Sequence, residues 1–109
     1  MGLFGRKKFE KNVTRNYNFL KDFATKLHAL MRYTEGNEKV TQALRKLQED
    51  FEFTLGTHIK DAKKAEARIN EMYEALKALL QQPEWDEQAV LLAIKNLGME
   101  LDELNAMRG

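Results

Sequence analysis

Between residues 37 and 82, apolar side chains return every three or four positions: Val40, Leu44, Leu47, Phe51, Leu55, His58, Ala62, Ala65, Ile69, Met72, Leu76 and Leu79. That spacing lines up one face of an α-helix. Upstream, Val13, Tyr17, Leu20, Ala24, Leu27 and Met31 form one stripe, and Phe19, Phe23 and Leu30 a second beside it. Together they span about half a helix circumference, against the roughly 100° of a single contact face. The pattern predicts a first helix over residues 9–33 that touches two partners. Downstream, Val90, Ile94, Leu97, Leu101 and Leu104 predict a last helix over 84–106, with Trp85, Leu92 and Met99 on its opposite side. No strand-like alternation or internal repeat occurs.

Two breaks are marked. In Thr34-Glu35-Gly36-Asn37, the glycine suits the left-handed position after a helix and the asparagine suits an N-cap. In 81–87, Pro83 ends one helix and fits the first position of the next. Gly56 is ambiguous. The apolar face keeps its phase across it, and no Pro, Asn or Asp marks a loop from Leu55 to Lys60. A break there would set Glu49, Asp50 and Glu52 at a helix C-terminus and Lys60, Lys63 and Lys64 at an N-terminus, both against the macrodipole.

The preferred expectation is therefore an all-α antiparallel bundle. One central helix over 37–82, about 69 Å long at 1.5 Å per residue, has helices 9–33 and 84–106 folded back on it. The alternative, with Gly56 as a turn, is an up-down-up-down four-helix bundle in which the first helix neighbours the last. A continuous central helix leaves two-helix layers with wet apolar faces, which a second copy would cover.

The chain has 109 residues and no cysteine. One domain over 9–109 is expected, preceded by a basic flexible tail over 1–8 in which Gly2 and Gly5 discourage helix. The lack of cysteine excludes disulfides and thiolate chemistry and suits a cytoplasmic location. No apolar run is long enough to span a bilayer. The opening MGLFGRKKF lacks a signal-peptide core, and Arg6 stands where a myristoylation motif wants Ser or Thr. The net charge of +1 conceals a gradient. Residues 1–33 carry eight basic and two acidic side chains, and residues 83–109 two basic and six acidic. Opposite ends of this kind attract, within one chain or between two.

Little in the sequence points to chemistry. His28 and His58 have no carboxylate three residues before them, so the Glu-x-x-His pattern of di-iron bundles is missing. Serine is absent, and no glycine-rich phosphate loop occurs. The length resembles that of histidine phosphotransfer bundles, whose phosphorylated histidine usually has a lysine three residues on. Here His58 is followed by Ile59, Lys60 and Asp61, and the aspartate would repel a phosphate. The Trp-x-Gly turn of small secreted helical hairpins is also missing.

The expectation is a non-enzymatic interaction or structural protein that self-associates through apolar helix faces. Its partner would be a second copy or another helical protein, with no cofactor, metal or small molecule. The contact residues expected are Phe19, Phe23, Leu30, Phe53, Trp85, Leu92 and Met99. The alternative is a peripheral membrane adaptor that meets an anionic surface through Leu3, Phe4, Arg6, Lys7, Lys8 and Lys11. Phosphotransfer is a more distant alternative. Nucleic acid is not expected, because no recognition motif accompanies the basic residues.

Overall fold

The computed structural model describes residues 2–54 and 62–107. They form helices α1 (Gly2–Leu30), α2 (Glu38–Glu52), α3 (Ala62–Leu80) and α4 (Glu87–Met107), with a 3-10 turn at Met31–Tyr33. The protein is an all-α helical bundle, and no strand occurs among the described residues.

The four-helix alternative holds, and the continuous central helix does not. α2 ends at Glu52, and Thr54 is no longer helical. Direction proves the reversal. Phe23 of α1 packs at a tilt against Phe51 (centroids 4.6 Å apart) and His28 lies 3.3 Å from Gln48, so α2 runs antiparallel to α1. Arg15 meets Glu66 while Phe23 meets Tyr73, so α3 runs parallel to α1. α2 and α3 therefore run in opposite directions. Gly56, Leu55 and His58 lie outside the described residues.

The acidic half of the dipole objection is answered from another helix, while Lys63 and Lys64 remain in the first turn of α3, which holds no acidic residue. Lys21 of α1 donates from Nζ to the carbonyl oxygens of Glu52 and Thr54, the latter at 3.1 Å. It places a cation on the C-terminal carbonyls of α2, where the dipole favours one. Thr54 adds a bond from its hydroxyl to the Asp50 carbonyl at 2.5 Å.

The first hairpin closes as the sequence predicts. Gly36 has φ +88°, and the Asn37 side chain accepts the Val40 N–H at 3.1 Å. Nothing crowds the space a Cβ would occupy at Gly36. Gly36→Ala should therefore lose about 1–2 kcal/mol from backbone strain alone, which a denaturant titration would read. The second break differs from expectation. Residues 81–86 form an extended turn, and α4 starts at Glu87, not beside Pro83. Asp86 is its cap. The Asp86 carbonyl accepts Val90 N–H at 3.0 Å, and its carboxylate accepts Gln88 N–H at 3.3 Å. α1 also departs from the reading at its start: the helix begins at Gly2, so residues 2–8 belong to it and not to a tail. Two glycines weaken a helix by only about 1 kcal/mol each, which helix formers such as Leu3, Lys7 and Lys8 partly offset.

Helix packing is α1 on α2, α3 on α4, α2 on α4 and, most sparsely, α1 on α3. α1 and α4 therefore stand on diagonal corners and are not the neighbours expected of the four-helix alternative. The core joins Leu20, Phe23, Ala24, Leu27 and Leu30 to the stripes of α2 and α4 and to Ala62, Ala65, Ile69, Tyr73, Leu76 and Leu80 of α3. α1 touches two helices, as its broad apolar face implies. On α3 the buried row is one residue out of phase with the reading: Tyr73 and Leu80 are buried, and Met72 and Leu79 half-buried.

Candidate interaction surface

The seven residues expected at a contact divide into three groups. Phe23 and Leu30 are buried in the core at 1% and 2% exposure, which removes them from any outer surface. Their stripe faces the rest of the bundle because α1 sits against both α2 and α3. Phe19 and Trp85 are half-buried against the same core, and the Trp85 indole donates to the Tyr33 carbonyl at 3.3 Å. Phe53, Leu92 and Met99 are exposed, at 77%, 58% and 53%. Tyr17, which the sequence reading assigned to a core stripe, is also exposed and lies under the Lys21 ammonium. Leu3, Phe4, Arg6, Lys7, Lys8 and Lys11 fall in the first turns of α1, and their side chains lie outside the described part of the structure.

Leu92 and Met99 project from α4 on the side opposite its buried row. Gly98 approaches Leu47 of α2 and Glu100 pairs with Arg68 of α3, so both flanks of α4 are occupied and this edge remains. Phe53 follows the last turn of α2. It borders a shallow groove of about 310 Å³ that also involves Glu49, Asp50, Thr54, Leu101, Asp102 and Asn105. Leu101 is nearly buried there, and Glu49, Asp50 and Asp102 are exposed. α2 and α4 run parallel, so both C-terminal ends meet at this groove and add partial negative charge to three carboxylates. α4 has no basic residue in its last turn to offset this. The groove is not legible in the periodicity, because it joins helix ends that are distant in sequence. The acidic end of the charge gradient was the available signal.

Comparison with known protein families, with characterised proteins and with solved structures finds no match.

Several other polar residues join the helices to one another. Glu66 of α3 receives Arg15 Nη1 at 2.5 Å and Asn16 Nδ2 at 2.6 Å from α1. Arg68 and Glu100 join α3 to α4 at 2.5 Å. At the far end, Asn37 Nδ2 donates to Glu87 at 3.0 Å and ties the two hairpins together. Hydrogen bonds from Gln81 and then Arg32 draw the Tyr33 hydroxyl below its ordinary pKa. His28 is exposed and paired with Gln48, and His58 lies outside the described residues. Among the described residues, no group of three or more His, Asp or Glu is placed to hold a metal ion, and no helix is long and apolar enough to cross a membrane.

Proposed function

We propose that this protein is a non-enzymatic helical interaction module that self-associates through the α2/α4 side of its bundle. The observation that carries the reading is Phe53. A phenylalanine 77% exposed stands beside a core already filled by Phe23, Phe51 and Tyr73. Scattered exposed apolar residues are ordinary on a protein surface. Phe53 borders a groove, however, with Met99 and Leu92 further along α4. Fold closure does not by itself require a second copy, since four helices bury their own stripes. What a second copy would cover is this aromatic and its surroundings. The absence of cysteine suits a cytoplasmic setting.

The test is solution mass by light scattering across a range of concentrations. The wild type should approach twice the chain mass, and Phe53→Asp should stay at the mass of one chain with its helical content intact. A wild type that remains single at every concentration removes the reading.

A further inference from the structure

Resting on that reading of self-association, we infer that two copies dock end to end, the first three turns of α1 of each lying in the acidic groove of the other.

α1 outruns its neighbour. Arg15 and Asn16 meet Glu66, only the fifth residue of α3, and the two helices run in the same direction. The start of α3 at Ala62 is therefore level with about residue 11 of α1, and residues 2–10 continue beyond it. Nine residues of helix are about 13 Å long. Arg6, Lys7, Lys8 and Lys11, with Glu10 the sole acid, belong to these turns, and Leu3, Phe4 and Phe9 are interleaved with them. α1 stands on the corner diagonal to α4, so these turns do not neighbour the α4 side of the groove of their own chain.

The groove has the complementary chemistry. Glu49, Asp50 and Asp102 supply negative charge, two helix C-termini add to it, and Phe53 offers an apolar contact. Lys21 meets the carbonyls of Glu52 and Thr54 from the α1 side, and none of the three carboxylates is its hydrogen-bond partner. Along α2 the groove runs from Glu49 to Thr54, five residue steps or about 8 Å, which the basic turns of α1 are long enough to cover.

Both features lie at the same end of the bundle, the groove on the α2/α4 side and the outrunning turns at the α1 corner. A two-fold axis across that end exchanges them. Each copy then gives one basic segment and receives one, so the contact is made twice and the assembly closes as a dimer. Charge separation inside the chain, produced by the diagonal placement of α1 and α4, becomes charge matching between chains.

Charge reversal tests this with the full chain. Asp50→Lys/Asp102→Lys reverses the groove, and Lys7→Glu/Lys8→Glu/Lys11→Glu reverses the helix. The groove positions are exposed, and the substituted residues are ordinary helix formers, so the fold should survive, and far-ultraviolet circular dichroism checks that it does. The wild type should be a dimer that weakens with added salt, since exposed charges are screened. Each variant alone should be monomeric, and an equimolar mixture of the two should recover the dimer mass. Phe53→Ala should weaken association about tenfold, the loss of one good apolar contact. A wild-type dimer indifferent to both reversals overturns the docking and leaves self-association standing. A wild type monomeric at all concentrations overturns both. A helix reversal that abolishes binding to anionic phosphatidylserine vesicles but leaves the dimer mass unchanged assigns the basic turns to a membrane and overturns the docking.

Discussion

Phe23→Ala is expected to lower the unfolding free energy by about 3–5 kcal/mol, the usual range for truncating a buried aromatic. Phe23 is 1% exposed, lies 4.6 Å from the Phe51 ring and meets Tyr73 edge-on at 5.5 Å. It thereby joins α1 to both α2 and α3, the two helices on which α1 packs. The cavity left by its ring would be lined by side chains from three helices, which cannot all relax into it. Domains of this kind are stable by about 5–15 kcal/mol, so the variant should show a large fall in denaturation midpoint and be partly unfolded if the total lies at the low end. Leu92→Ala, at a 58% exposed position on α4, is the matched control and should change stability by no more than about 0.5 kcal/mol. Guanidinium titrations at a concentration where the chain is monomeric keep association out of the measurement. A Phe23→Ala protein as stable as wild type but unable to self-associate would return this residue to the surface role that its sequence position suggested.

Phe23 also shows where sequence reasoning stopped. A helix with two apolar stripes was correctly seen to need two partners, but the number of partners does not say whether they belong to the same chain. That depended on the connection after α2, where the local signals favoured continuity. Glu49, Asp50 and Glu52 are poor residues for a helix C-terminus when judged within their own helix. Lys21, thirty-one residues earlier in sequence, corrects the imbalance through space, and no window around residue 52 contains it. The Gly36–Asn37 turn was legible because its chemistry is local: a positive φ that glycine tolerates and a cap three residues from its donor. The Pro83 break was legible, but its length was not, because Asp86 competes with the proline as the start of α4. The groove needed the relative position of two helix ends distant in sequence. Periodicity identifies the buried face of each helix and leaves the order of helices around the bundle undetermined. For that reason the diagonal arrangement of α1 and α4 could not be read in advance.

Glu66→Leu should destabilise the protein by about 2–3 kcal/mol although it adds apolar surface at a buried position. Glu66 is 7% exposed, and both carboxylate oxygens are engaged, one by Arg15 and one by Asn16. Removing one member of a buried ion pair costs about 3–5 kcal/mol when its partner is left charged and dry. The Arg15 side chain is 38% exposed and regains some water, which lowers the figure. Asn16 is wholly buried and loses the carboxylate that its amide faces. Replacing all three residues together, as Arg15→Met/Asn16→Leu/Glu66→Leu, should restore stability to within about 1 kcal/mol of wild type, since hydrophobic replacements of buried charged groups are often neutral or better. The two results together separate stability from specificity. α1 packs far more sparsely on α3 than on α2, and this polar cluster joins α1 to α3 at the end where α1 outruns α3. If its role is to hold the two helices in register, the triple variant should keep its melting free energy and lose chemical-shift dispersion for residues near Ala62 and Ala65. It should also associate less well, because a slipped α1 would present its basic turns at the wrong height. A Glu66→Leu protein with unchanged stability would show that the cluster is hydrated in solution and contributes nothing to the alignment of α1 with α3.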